Sequence, residues 1–92
     1  MNKYPVNISL TKLETRIDAE YPQEEKYPSN TTVKTGLMFE FSLPKVGEPF
    51  AVKESKMWSK YNTSTIEKID VVDENTMLLT TLNSVYKLEI LD

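Results

Sequence analysis

The chain has 92 residues, a formal net charge of −3, no cysteine and no histidine. That length makes one domain, spanning 1–92, with room for a core and no need of covalent staples. Without thiols there is neither a disulfide framework nor thiolate chemistry, and without imidazoles the commonest general base and transition-metal ligand are missing.

Gly36 and Gly47 are the only glycines, too few for a phosphate-cradling loop. Hydrophobic content of 39% and charged content of 27% are those of an ordinary soluble domain. No apolar run approaches membrane-spanning length, and the opening MNKYPVNISL lacks a signal-peptide hydrophobic region. No membrane association and a cytoplasmic location are therefore expected. Charge is unevenly spread. Glu14, Asp18, Glu20, Glu24 and Glu25 face only Arg16, whereas Lys26, Lys34, Lys45, Lys53, Lys56 and Lys60 outnumber the acids of the middle third. The overall acidity disfavours generic nucleic-acid binding but leaves room for a local basic patch.

In chain order, Val6, Ile8 and Leu10 alternate with Asn7, Ser9 and Thr11 directly after Pro5, which predicts a first strand over about 5–14. Two readings compete from Thr11 onward. Thr11 and Glu14 fit a capping box, with Leu10, Leu13 and Ile17 at helical spacing. Alternatively the strand continues with a bulge near Lys12, the preferred reading.

Residues 18–31, DAEYPQEEKYPSNT, are predicted to form an extended surface loop. Tyr21, Glu24, Glu25 and Tyr27 are its candidate partner-binding residues, because long loops in compact domains are often binding loops. The favoured alternative has both tyrosines packing back onto the sheet.

A second strand is predicted over 33–43, with Leu37, Phe39 and Phe41 alternating with Met38, Glu40 and Ser42. Pro44 to Pro49 reads as a turn, and 50–54 as a short strand. Lys53, Lys56, Trp58, Lys60 and Tyr61 then interleave cations with aromatics, the combination that single-stranded nucleic-acid binders use to meet phosphates and stack bases. The favoured alternative makes Trp58 a plug at one end of a small barrel, since tryptophan is usually well buried.

Three further strands are predicted over 64–72, 76–82 and 85–91, joined by short links at Asp73-Glu74-Asn75 and Asn83-Ser84. Ile66 and Ile69 sit three apart, out of step with alternation, and a bulge near Glu67-Lys68 would return both to one face. The core is expected to draw on Leu37, Phe39, Phe41, Phe50, Ile69, Val71, Leu79, Tyr86, Leu88 and Ile90.

The paired carboxylates Glu24-Glu25 and Asp73-Glu74 lack the apolar surroundings that split pKa values for acid–base work, and the second pair is too short for a calcium loop. No activated nucleophile can be assembled without histidine, cysteine or a glycine-framed elbow. The expectation is no enzyme, no metal and no cofactor.

Val46-Gly47-x-Pro49-Phe50, Trp58, Thr63-Ser64-x-Ile66 and Thr81-x-Asn83-Ser84-x-Tyr86-x-Leu88 together resemble a pattern found in small proteins of bacteriophages and bacterial mobile elements. The resemblance covers the C-terminal half, with Thr65 where proline is common. It implies a compact SH3-like β fold and a phage or mobile-element origin, and it carries no activity across.

Independently, the count of five to seven short strands predicts an all-β sandwich or barrel, and with the SH3-like fold that the resemblance implies, the expected architecture is a small SH3-like antiparallel barrel with at most one short helix or 3-10 turn. The expected function is a non-enzymatic protein-binding module, a phage-type accessory that binds and modulates a bacterial host protein, with an anti-CRISPR inhibitor as one instance. The alternative is single-stranded nucleic-acid binding through Lys53 to Tyr61. An exposed strand edge could also support a homodimer.

Overall fold

The computed structural model describes residues 3–15 and 31–92. They form six antiparallel strands: β1 (Val6–Thr15), β2 (Thr31–Met38), β3 (Pro49–Lys53), β4 (Ser59–Asp73), β5 (Thr76–Thr81) and β6 (Ser84–Ile90). Each strand pairs with the next in sequence, and β6 returns to β1, so the sheet closes into a barrel. The small antiparallel barrel expected from the sequence is the fold, with one 3-10 turn at Glu40–Ser42.

β1 remains a strand through the stretch where a helix competed. Val6, Ile8 and Leu10 are fully buried, and Lys12 continues the inward face at 8% exposure, opposite Tyr86 in register. Register shifts at Leu10/Thr11 against β2 and at Lys12/Glu14 against β6 bend the strand around the barrel. β4 is the longest strand and serves two neighbours, β3 along Ser59–Thr65 and β5 along Ile66–Asp73. Its register shifts between Ile66 and Lys68, so Glu67 is the extra residue. Ile66 is thereby buried and Ile69 packs against the core, as the predicted bulge requires.

Three expectations are corrected. β2 ends at Met38 rather than Leu43. Met38 lies opposite Val6 and faces inward, whereas Leu37 pairs with Lys53 and is only half-buried. The 3-10 turn then redirects the chain. Ser42 Oγ accepts the Phe39 N–H at 2.9 Å, and Phe41 is left 58% exposed beside a half-buried Phe39. Val71 is 71% exposed because the β4–β5 hairpin extends past the barrel core. The buried core consists of Phe50 and Val52 from β3, Ile66, Leu79, Tyr86 and Leu88, closed by the β1 residues with Val33 and Met38. The loop expected over 18–31 lies outside the described residues, except for Thr31, which opens β2.

Turns on one side are locked to β4. The Gly47 N–H, at φ 93°, donates to Ile66 O at 2.8 Å, and Ile66 N–H returns to Glu48 O at 3.0 Å. The Phe50 N–H donates to Thr63 Oγ1 at 2.9 Å. Leu82 N–H reaches Thr65 O, and Asn83 N–H reaches Ser64 Oγ. At the other side Asn7 holds the chain end. Its side-chain amide and its backbone N–H both donate to the Asp92 carboxylate, at 2.9 and 2.7 Å, and hold that carboxyl below the usual carboxylate range.

Thr81 is completely buried in the β5–β6 turn. Its hydroxyl donates to Ser84 O at 3.0 Å and accepts the Ser84 N–H at 3.1 Å. Thr81→Val keeps the shape and removes both bonds between the two buried residues that flank the turn. A loss of about 1–2 kcal/mol is expected in urea unfolding. An unchanged midpoint would show that the hydroxyl does not hold the turn.

Candidate functional site

β3 is only five residues long, and where it stops at Lys53 the chain makes a tight turn over residues 54–58. The Glu54 N–H donates to Trp58 O at 2.9 Å, and Trp58 N–H donates to Ser55 O at 3.3 Å, so the turn is closed by its own backbone. The apolar residues at its end point to solvent: Met57 is 83% exposed and Trp58 69%. Trp58 is therefore not a barrel plug. Phe50 and Val52 already fill that part of the interior, and a turn projecting beyond β3 has no core to reach.

The five candidates of this segment divide. Lys53 and Lys60 line one groove of about 470 Å³ on the outer face, with Lys56 exposed on the adjacent turn. Lys53 Nζ lies 5.6 Å from the centre of the Phe41 ring, a cation–π contact, and Lys60 Nζ donates to Thr35 O at 3.3 Å. Tyr61 goes the other way. It lies opposite Val52, packs against the core, and its hydroxyl is 2.8 Å from that of Tyr86, the rings meeting edge to face. It cannot stack a base beside Trp58 while it holds that place. Tyr21, Glu24, Glu25 and Tyr27 lie outside the described residues.

The groove follows the seam between β2 and β3, which are joined by a single residue pair, Leu37 with Lys53. Thr35, Gly36, Leu37 and Leu91 also line it, and Glu54 sets one carboxylate beside the two ammonium groups. Gly36 belongs there for a steric reason, since a Cβ would stand 2.7 Å from both Lys53 O and Val52 Cγ1. The sequence carried a usable signal for this: a glycine inside an otherwise β-forming run marks a close backbone approach. A second hollow of about 200 Å³ lies on the far side of Lys53, against Phe41, Leu43 and Pro49.

Comparison with family models, with curated proteins and with solved structures finds no match. The surface must speak through its own chemistry. Among the described residues no group of three or more acidic side chains is placed to hold a metal ion, and no helix is long and apolar enough to cross a membrane. The groove offers ammonium groups, backbone amides and apolar surface, which are groups for binding.

Proposed function

We propose that this chain is a non-enzymatic protein-binding module whose anchor is Trp58. The observation that carries this reading is the exposure of Trp58 and Met57 on a turn whose backbone is fixed by its own hydrogen bonds. A tryptophan left in water on a rigid support loses little entropy on docking, and such rings commonly dominate interface energies. The partner would be a bacterial host protein modulated by a phage-type accessory, of which an anti-CRISPR inhibitor is one form. That part of the proposal rests on the resemblance of the Val46-to-Leu88 pattern alone.

Trp58→Ala tests the module. Capture of a partner from nuclease-treated bacterial lysate should be lost, with binding weakened by about 2 kcal/mol or more. Stability should change by no more than about 0.5 kcal/mol, as for other surface substitutions. A strongly destabilised variant, or one that still captures the same protein, would remove Trp58 as the anchor.

The same exposure favours a second reading, single-stranded nucleic-acid binding through Lys53, Lys56 and Lys60 with a base on Trp58. With Tyr61 turned into the barrel, Trp58 is the ring of the 53–61 segment left to stack a base. This reading predicts affinity for single-stranded DNA or RNA that falls with salt, by a slope of about −0.7 per phosphate contact. Absence of such binding at low salt would leave the protein partner alone.

A further inference from the structure

We propose that the open edge of β2 takes up an extended acidic segment of the partner as an additional strand. This deepens the protein-binding reading and rests on it. One edge of β2 pairs with β1 from Met38 to Thr31, with Val33 the extra residue at a register shift. The other meets β3 only at Leu37, because β3 stops at Lys53 and the 54–58 turn leaves the sheet. Among the described residues no strand pairs with this edge from Thr31 to Gly36.

The edge is directed outward and reachable. Thr35 O points away from β1, since Lys60 Nζ meets it at 3.3 Å. In an antiparallel strand the N–H and C=O of one residue leave on the same side, so the Thr35 N–H also faces the open edge. Thr32, Lys34 and Thr35 are all exposed. Lys60 occupies the carbonyl with a flexible, exposed side chain, which an incoming strand can displace. Main-chain bonds to such an edge supply affinity, and flanking side chains supply specificity.

Charge selects the occupant. Lys53 and Lys60 line the groove beside the edge against Glu54, with Lys34 exposed on β2 itself and Lys56 exposed on the 54–58 turn, on a chain whose net charge is −3. Lysines on an edge discourage pairing with neutral or basic strands. Against a strand bearing carboxylates the same groups attract, and Leu37 and Leu91, which line the same groove as Lys53 and Lys60, suit its alternate apolar residues. A second copy is the poorer fit, because pairing β2 with β2 would bring Lys34 against the same cluster.

The test uses the full chain, isotope-labelled, and two end-blocked octapeptides, one alternating valine with glutamate and one valine with lysine. The glutamate peptide should bind with a dissociation constant of about 1 mM or tighter, and at least about 10-fold more tightly than the lysine peptide. The largest amide shifts should fall on Thr35 to Leu37, with slowed hydrogen exchange at Thr35. Thr35→Pro should abolish this binding, since proline is tolerated on an edge whose N–H the β1 ladder does not use. Lys60→Glu leaves the backbone alone and should reverse the peptide preference, so the proposal can be judged even if the proline variant fails to fold. No binding of the glutamate peptide, shifts centred on other strands, or a folded Thr35→Pro that binds as wild type would overturn it. Sedimentation showing dimers that Thr35→Pro dissolves would also overturn it, in favour of a second copy. If neither peptide binds but Trp58→Ala still loses the lysate partner, the edge proposal falls and the protein-binding reading stands.

Discussion

Phe50→Ala destabilises the domain by about 3–5 kcal/mol, the range for truncating a buried phenylalanine. Phe50 is the largest of the fully buried side chains. It comes from a strand of five residues, so β3 has only Phe50 and Val52 to fasten it to the interior. The Phe50 N–H is also spent on Thr63 Oγ1, which ties the ring's backbone to β4 and limits how far the site can collapse around the void. For a domain of this size the melting temperature should fall by well over 10 °C, at about 4–8 °C per kcal/mol. Set against a total stability of about 5–15 kcal/mol, that is enough to leave the variant partly unfolded at 37 °C. Thermal and urea unfolding of both proteins measure it, and a loss under about 1 kcal/mol would place the ring outside the core.

The outcome at Phe50 can be anticipated from the sequence, and the reason shows which parts of this fold were legible. Tyr86, Leu88 and Ile90 alternate without interruption, and β6 follows them. Even the broken spacing of Ile66 and Ile69 was informative, because β-branched neighbours ruled in a strand and left a bulge as the way to reconcile the phase. β2 misled for the opposite reason. Leu37, Phe39 and Phe41 make a more apolar row than Val33 and Met38, yet the latter are buried. Lys34 and Thr32 occupy successive paired positions opposite Leu10 and Thr11, which leaves Val33 as an extra residue that shifts the phase. Such a shift has no local signature where both faces are apolar.

The residues behind the phage-type resemblance carry turns and core. Gly47, Thr63, Ser64, Thr81, Asn83 and Ser84 make the hydrogen bonds that lock two turns to β4 or to themselves, while Phe50, Ile66, Tyr86 and Leu88 are buried. A pattern of this kind is informative about the barrel and silent about what it binds. Trp58 differs, a member of the pattern whose backbone closes the 54–58 turn while its side chain is left 69% exposed. Residue type argued for burial, and only the length of β3 reveals that its turn projects beyond the core. Lys53, Lys56 and Lys60 could be selected from the sequence as a group, but the meeting of Lys53 and Lys60 in one groove depends on where β3 stops. That is a property of pairing, invisible in periodicity.

Gly36→Val opens the β2–β3 seam. An added Cβ would stand 2.7 Å from Lys53 O and 2.7 Å from Val52 Cγ1, closer than carbon atoms pack without movement. Neither neighbour can yield cheaply. Val52 is fully buried among core residues, and Lys53 forms the one residue pair that joins β3 to β2. Lys60, whose Cδ would be 3.6 Å away, is flexible and adds no obstacle. The strands must therefore separate, with a cost of about 1–3 kcal/mol for overpacking. Alanine at the same position meets the same first contact but regains about 0.5–1 kcal/mol from the unfolded chain, so its net loss is the smaller. The two variants should order as Val below Ala below wild type in urea unfolding. The structural readout is local. Amide exchange at Leu37 and Lys53 should accelerate more than exchange at Leu88 on the β1–β6 side of the barrel, because the seam gives way before the core does. Wild-type stability and exchange in Gly36→Val would mean that β2 and β3 do not approach as closely as the seam requires, and the open edge beside Thr35 would then have to be redrawn.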